Sequence, residues 1–168
     1  DFIDMEIDKS KLLPKNVISS GKIGYLPQEP FLPSELRVRE VIPLFFPKGG
    51  DQDRIFYSKG VSGFEKQKVG KLSSGQLRYL EIILLCHLDH PFLLLDEPFS
   101  MIEPLYNDLI KELLISLGLK KGIILTDHYY SDVLNISTRN FLLKDGKILD
   151  IKNENDLADH NYISNSNL

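Results

Sequence analysis

Two short, unbroken apolar runs constrain the fold most: "FLLLD" at 92–96 and "GIILT" at 122–126, with a helical pattern between them. A run with no polar alternation is the pattern of a strand covered on both faces. Between the runs, Leu105, Leu109, Leu113, Leu114 and Leu117 fall at helical spacing and predict a core-facing stripe, with Gly118 placed to cap the helix end. Strand, helix, strand in this order predicts an α/β domain around a parallel sheet. Further on, "FLLKDGKILDI" predicts a hairpin turning at Asp145-Gly146 and adding an antiparallel edge. In open sheets of this kind chemistry collects beyond the carboxyl ends of the strands. Asp96, Glu97 and His128 all stand there.

Upstream, Lys22 to Leu26 reads as a short strand stopped by Pro27. From 28 to 71 the prolines at 30, 33, 43 and 47 and the Gly49-Gly50 pair leave room for one helix near 36–46, which Pro43 should kink or end. The rest of that stretch reads as a compact insertion with loops. Ser73 or Ser74 can cap a helix over about 75–88, whose later residues are apolar on nearly every side and so imply burial. Residues 1–20 are weakly patterned, and the polar tail from Asn153 is expected to fray. His87 and His90 flank Asp89 at a helix end, where histidines suit the helix dipole without a metal, and Cys86 reads as a small core residue.

A chain of 168 residues is long enough for one domain with a sizeable core. Its net charge of -4 lacks the basic excess of a nucleic-acid binder, so no nucleic-acid partner is expected. No apolar run approaches the roughly 18 residues that suggest a membrane span, so any link to a membrane is peripheral. The single cysteine forms no internal disulfide, which suits a reducing cytoplasm.

A carboxylate just past a buried strand, as at Asp96, can hold Mg²⁺, a hard cation that prefers oxygen ligands. A second carboxylate beside it, Glu97, can orient or deprotonate a water, the layout of a nucleotide hydrolase. A bare "DEP" reads equally as two solvated acids ahead of a helix. The turn "LSSGQ" has the hydroxyls, backbone N–H groups and following helix of an anion site, but on its own it reads first as a plain helix cap.

Taken together, "GYLPQEP" at 24–30, "LSSGQ" at 72–76, "FLLLDEP" at 92–98 and "LTDH" at 125–128 resemble the ATP-binding cassette (ABC) ATPases over about residues 22–150. The resemblance implies a P-loop NTPase-like parallel sheet core with a small helical subdomain inserted. Its divisions are a partial ATPase core at 1–27, a Q-loop and helical subdomain at 28–71, a signature, Walker B and switch-histidine core at 72–152, and a polar tail at 153–168. It implies ATP and Mg²⁺ as cofactors. Gln28 matches the glutamine that touches Mg²⁺ and the attacking water. Leu72, Ser73, Ser74, Gly75 and Gln76 match the signature motif, with Ser73 and Gly75 at the γ-phosphate of ATP held by an opposed subunit. Asp96 matches the Walker B aspartate, Glu97 the catalytic glutamate and His128 the switch histidine. The implied function is the ATP-hydrolysing subunit of an ABC transporter, cytoplasmic and peripheral to the inner face of the membrane. Its implied partners are a second ATPase subunit, identical or not, and a transmembrane permease.

The sequence departs from that pattern at several points, Leu77 and Tyr79 standing where polar or basic residues are common. No G-x-x-x-x-G-K-[ST] run exists, and the nearest approach, 16–23, has Asn16 for the first glycine and Ile23 for the Ser/Thr. The expectation is therefore a C-terminal portion of a cassette, inactive alone, with the phosphate loop upstream of Asp1. Ser74 stands where glycine is usual, and Glu103 in "SMIEP" stands where aspartate is usual. Two rival readings follow from these departures: a degenerate, non-hydrolytic cassette that dimerises and regulates, or a soluble ABC ATPase unconnected with transport.

Overall fold

Three strands form where apolar runs meet a Pro or a polar stop: β1 (Ile23–Leu26), β2 (Phe92–Asp96) and β3 (Gly122–Thr126). The computed structural model, which describes residues 21–164, pairs them in parallel in the order β1-β2-β3. The register sets Leu26 beside Leu95 and Asp96 beside Thr126. All three carboxyl ends thus lie along one rim, and Gln28, Glu97 and His128 follow within two residues of them. The expectations for residues 1–20 and for the last four residues lie outside the described residues.

Among the described residues one face of this sheet is buried and the other is exposed. Leu26, Leu93 and Leu95 turn into the core, whereas Tyr25, Phe92 and Ile124 are exposed. The covering layer is α3 (Ser74–His87), which packs against β1 and against α4 (Pro104–Gly118). Cys86 is buried within α3, and burial pushes its thiol up to about 12, so it behaves as a core residue. In α4, Leu109, Ile110 and Leu114 are buried but Leu105 is exposed, so the inward stripe starts a turn later than its spacing predicts. Gly118 is the last helical residue and Leu119 follows in right-handed conformation, so the helix does not use glycine as a left-handed cap.

α3 begins with a reciprocal cap. The Gln76 N–H donates to Ser73 Oγ at 3.2 Å and the Ser73 N–H donates to Gln76 Oε1 at 3.0 Å. Two donors of the first turn are thereby satisfied by side chains. Ser73→Ala is expected to lower stability by about 1 kcal/mol, read as a reduced urea midpoint with an unchanged slope.

Residues 28–71 contain two helices rather than one. α1 (Val38–Phe45) carries Pro43 and ends two residues after it. α2 (Gly49–Phe56) starts at the Gly-Gly pair expected to be loop, and its buried residue, Ile55, supplies the tertiary contact that outweighs weak helix propensity. Beyond β3, α5 (Tyr130–Ile136) leads to β4 (Asn140–Lys144) and β5 (Lys147–Ile151), joined at Asp145 and Gly146, both at positive φ. This hairpin is a separate two-stranded sheet, not an edge of the main one. The reason is its own small core: Leu142 and Ile151 pack with Leu157 and Leu134. Leu157 belongs to α6 (Glu154–Asp159), capped by Asn153 Oδ1, so this part of the tail is a docked helix instead of fraying.

Candidate functional site

Glu97, the first residue after β2, has φ 49°, a left-handed conformation that a side chain other than glycine seldom adopts. Its N–H donates to Thr126 O at 2.8 Å, which fixes the chain end of β2 to that of β3. The kink brings its carboxylate between two neighbours. Gln28 Nε2 donates to Glu97 Oε2 at 2.8 Å, and His128 Nε2 lies 3.1 Å from Glu97 Oε1. The Glu97 side chain is 17% exposed and that of His128 is 81% exposed, so the acid is sheltered and the imidazole faces outward. Asp96 turns elsewhere: Oδ1 accepts from Thr126 Oγ1 at 3.0 Å and Oδ2 faces the Tyr25 hydroxyl at 3.4 Å. Asp127 accepts from the Phe99 N–H at 2.8 Å and the Tyr129 N–H at 2.9 Å, pinning the segment after Glu97 to the end of β3. Burial holds its carboxyl above the ordinary aspartate range in spite of those bonds.

The turn 72–76 does not join this group. Ser73 caps α3, and Ser74 Oγ donates to Met101 O at 2.8 Å, so the residue that replaces glycine ties the turn to the loop before α4. At Gly75 a Cβ would fall 1.9 Å from Glu103 Oε2 and 3.1 Å from the Tyr106 ring. Only glycine admits Glu103 at its present position. Ser74 and Glu103, two of the residues that depart from the expected pattern, therefore sit at one junction.

Between the turn and the strand ends lies an ion pair that the motifs do not mark. Arg78 Nη1 donates to Pro27 O at 2.7 Å, and Nη2 donates to Asp96 O and, at 3.1 Å, to Glu97 O. Glu81 Oε1 accepts from the Phe31 N–H at 2.8 Å, and its Oε2 lies 3.6 Å from Arg78 Nη1, too far for a hydrogen bond. Burial pushes the Arg78 guanidinium below and the Glu81 carboxyl above their ordinary values. A signal existed in "LRYLEIILL": two opposite charges three residues apart on an otherwise apolar, buried helix must be paired inside the protein. Tyr25 and Thr126, the partners of Asp96, carried no such signal, because only the strand register brings them to it.

The donor set at the strand ends suits a hard cation. Mg²⁺ is commonly held by one or two carboxylates, with phosphate oxygens and water completing the shell, and Asp96, beside the Thr126 hydroxyl, offers oxygen ligands of that kind. Among the described residues no three His, Cys, Asp or Glu side chains converge as a metal cage. His87 Nδ1 and His90 Nδ1 instead meet backbone carbonyls, at 2.8 and 2.6 Å. Among the described residues no helix is long and apolar enough to cross a membrane.

A parallel sheet covered by helices on one face, with an acid pair, a glutamine and a histidine beyond its carboxyl ends, defines an α/β domain of the P-loop NTPase-like class. Within that class, the family model described as ABC transporter matches residues 4–100. The chain is 30% identical over 156 residues to the lipopolysaccharide export system ATP-binding protein LptB of Acidithiobacillus ferridurans, covering 88% of this chain and 65% of that protein. It is 31% identical over 143 residues to the uncharacterized ABC transporter ATP-binding protein YhaQ of Bacillus subtilis, covering 80% of this chain and 48% of that one. The chain thus spans less than two thirds of the length of these relatives. Among solved structures, an ATP-binding subunit of an ABC transporter superposes with TM-score 0.67 at 18% identity, covering 83% of this chain and 62% of that one. A dimeric, post-hydrolysis ATP-binding cassette, MJ0796 with ADP and Pi bound, superposes with TM-score 0.65 at 22% identity, covering 88% and 68%. The chain belongs to the ABC transporter family of ATP-binding proteins.

Proposed function

We propose that this chain is part of an ATP-hydrolysing subunit that drives transport through a membrane partner. The observation that carries the reading is the convergence of Gln28, Glu97 and His128, from three separate segments, around one sheltered carboxylate. In this reading Glu97 takes a proton from the attacking water, Gln28 orients that water, and the exposed ring of His128 donates to a phosphate oxygen. Asp96 and Gln28 are the residues that would hold Mg²⁺, whose role when bound is to neutralise charge between phosphate oxygens. Leu72 to Gln76, on the first turn of α3, would complete a second nucleotide site formed with another ATPase subunit, through Ser73 and Gly75. The arm at 28–71 would face a transmembrane permease at the inner side of the membrane. The relatives named for lipopolysaccharide export and for ABC transport support this assignment, and the retained acid and histidine favour it over a non-hydrolytic module.

The test is Mg²⁺-dependent release of phosphate from ATP by the complete gene product, and its absence overturns the reading. His128→Ala is expected to lower that turnover by about tenfold to a hundredfold, with the melting temperature unchanged because the ring is exposed. Equal turnover in the variant removes His128 from the site.

A further inference from the structure

We propose that Arg78 is a positioning residue, whose guanidinium holds the backbone on both sides of Glu97 in the left-handed kink that aims its carboxylate at Gln28 and His128. The catalytic consequence rests on the ATPase reading; the clamp does not. A glutamate at φ 49° persists only where its surroundings over-determine it. Here the Glu97 N–H is held by Thr126 O, and its carbonyl accepts from Arg78 Nη2 and from the Ser100 N–H at 3.3 Å. The same Nη2 holds the carbonyl of Asp96, so the peptide groups before and after the strained Cα share one donor.

Nη1 extends the clamp to Pro27 O, next to Gln28. One side chain of α3 therefore fixes the backbone at both partners of the 2.8 Å Gln28–Glu97 bond. A planar fork with donors on separate nitrogens at fixed angles suits three carbonyls from one anchor, whereas a lysine directs its donors from one nitrogen. Glu81, one turn further along α3, lies against the guanidinium and accepts from the Phe31 N–H, adding the start of the arm to the same junction. The Arg78 side chain is 9% exposed, pairs with Glu81 and gives its hydrogen bonds to backbone carbonyls, so it acts through Glu97 and Gln28.

The experiment compares the complete gene product with its Arg78→Gln and Arg78→Lys variants, using amide hydrogen exchange and ATP kinetics. In Arg78→Gln, exchange over 26–31 and 95–101 is expected to accelerate about tenfold or more, while α4 keeps its wild-type rate. Turnover is expected to fall about tenfold to a hundredfold with KM within about twofold, and Arg78→Lys to recover part of each change. Unchanged exchange in those two segments, or equal acceleration in α4, overturns the clamp. Should Arg78→Gln fail to fold, Arg78→Lys decides by the same criterion, since it keeps the charge and loses the fork. If the unsubstituted protein releases no phosphate, the ATPase reading falls, and the exchange rates still decide the clamp.

Discussion

Glu97→Gln is expected to reduce ATP turnover by the complete gene product by about 10²- to 10⁴-fold, the range spanned by loss of a positioned general base. Glutamine keeps the length and planarity of the side chain. Its amide can still meet the Gln28 amide or the His128 ring, so the contacts at 2.8 and 3.1 Å have replacements and the backbone kink has no reason to relax. What glutamine cannot do is take a proton. Affinity for a fluorescent ATP analogue is accordingly expected to stay within about threefold of the parent, separating binding from chemistry. Glu97→Gly provides the complementary measurement. Glycine adopts φ 49° without strain, so this variant should keep or gain thermal stability while losing turnover as fully as the glutamine variant. Turnover at the parent rate in either variant removes Glu97 from the base role, whatever the fold.

The parts of this arrangement that were legible in the sequence are those where one local pattern decides. Two uninterrupted apolar runs name β2 and β3, and a polar stop at the end of each run marks the rim where Asp96, Glu97 and His128 stand. The sequence leaves Ser73 or Ser74 as the cap; Gln76, three residues past the first, selects Ser73 through its reciprocal bond. Elements decided by distant packing were not legible. α2 starts at two glycines and is held by Ile55, and α6 sits in a polar tail and is held by Leu157 and Ala158. Local composition favours loop in both places, and burial of one or two apolar groups reverses it. The hairpin was visible as a hairpin, yet whether it joins the main sheet depends on what Leu142 and Ile151 pack against, which no window of sequence contains. Arg78 and Glu81 are an intermediate case. Their spacing on an apolar helix announces an internal pair, but the three carbonyls that Arg78 serves come from segments 18 to 51 residues away.

Phe99→Ala is expected to lower stability by about 3–5 kcal/mol, the usual range for removing a fully buried aromatic ring. Phe99 is among the largest fully buried side chains, two residues after Glu97, and its own N–H donates to Asp127. That hydrogen bond uses backbone, so the alanine variant retains it, and the whole loss falls on packing. Phe99→Leu keeps most of the volume and should cost less than about 1.5 kcal/mol. Urea unfolding of the three proteins with equal slopes reads both values directly. The consequence for the site follows from position. The segment 97–101 leaves β2 through one left-handed residue, Glu97, and reaches a second, Met101, so it has little regular structure of its own. Its place depends on Phe99 beneath it and on Arg78 and Asp127 beside it. With the ring gone, the segment should open before the rest of the molecule, and turnover should fall at temperatures where the protein still melts as a folded unit. A cost below about 1 kcal/mol for Phe99→Ala would mean that the core does not anchor this segment, leaving the aim of Glu97 to hydrogen bonds alone.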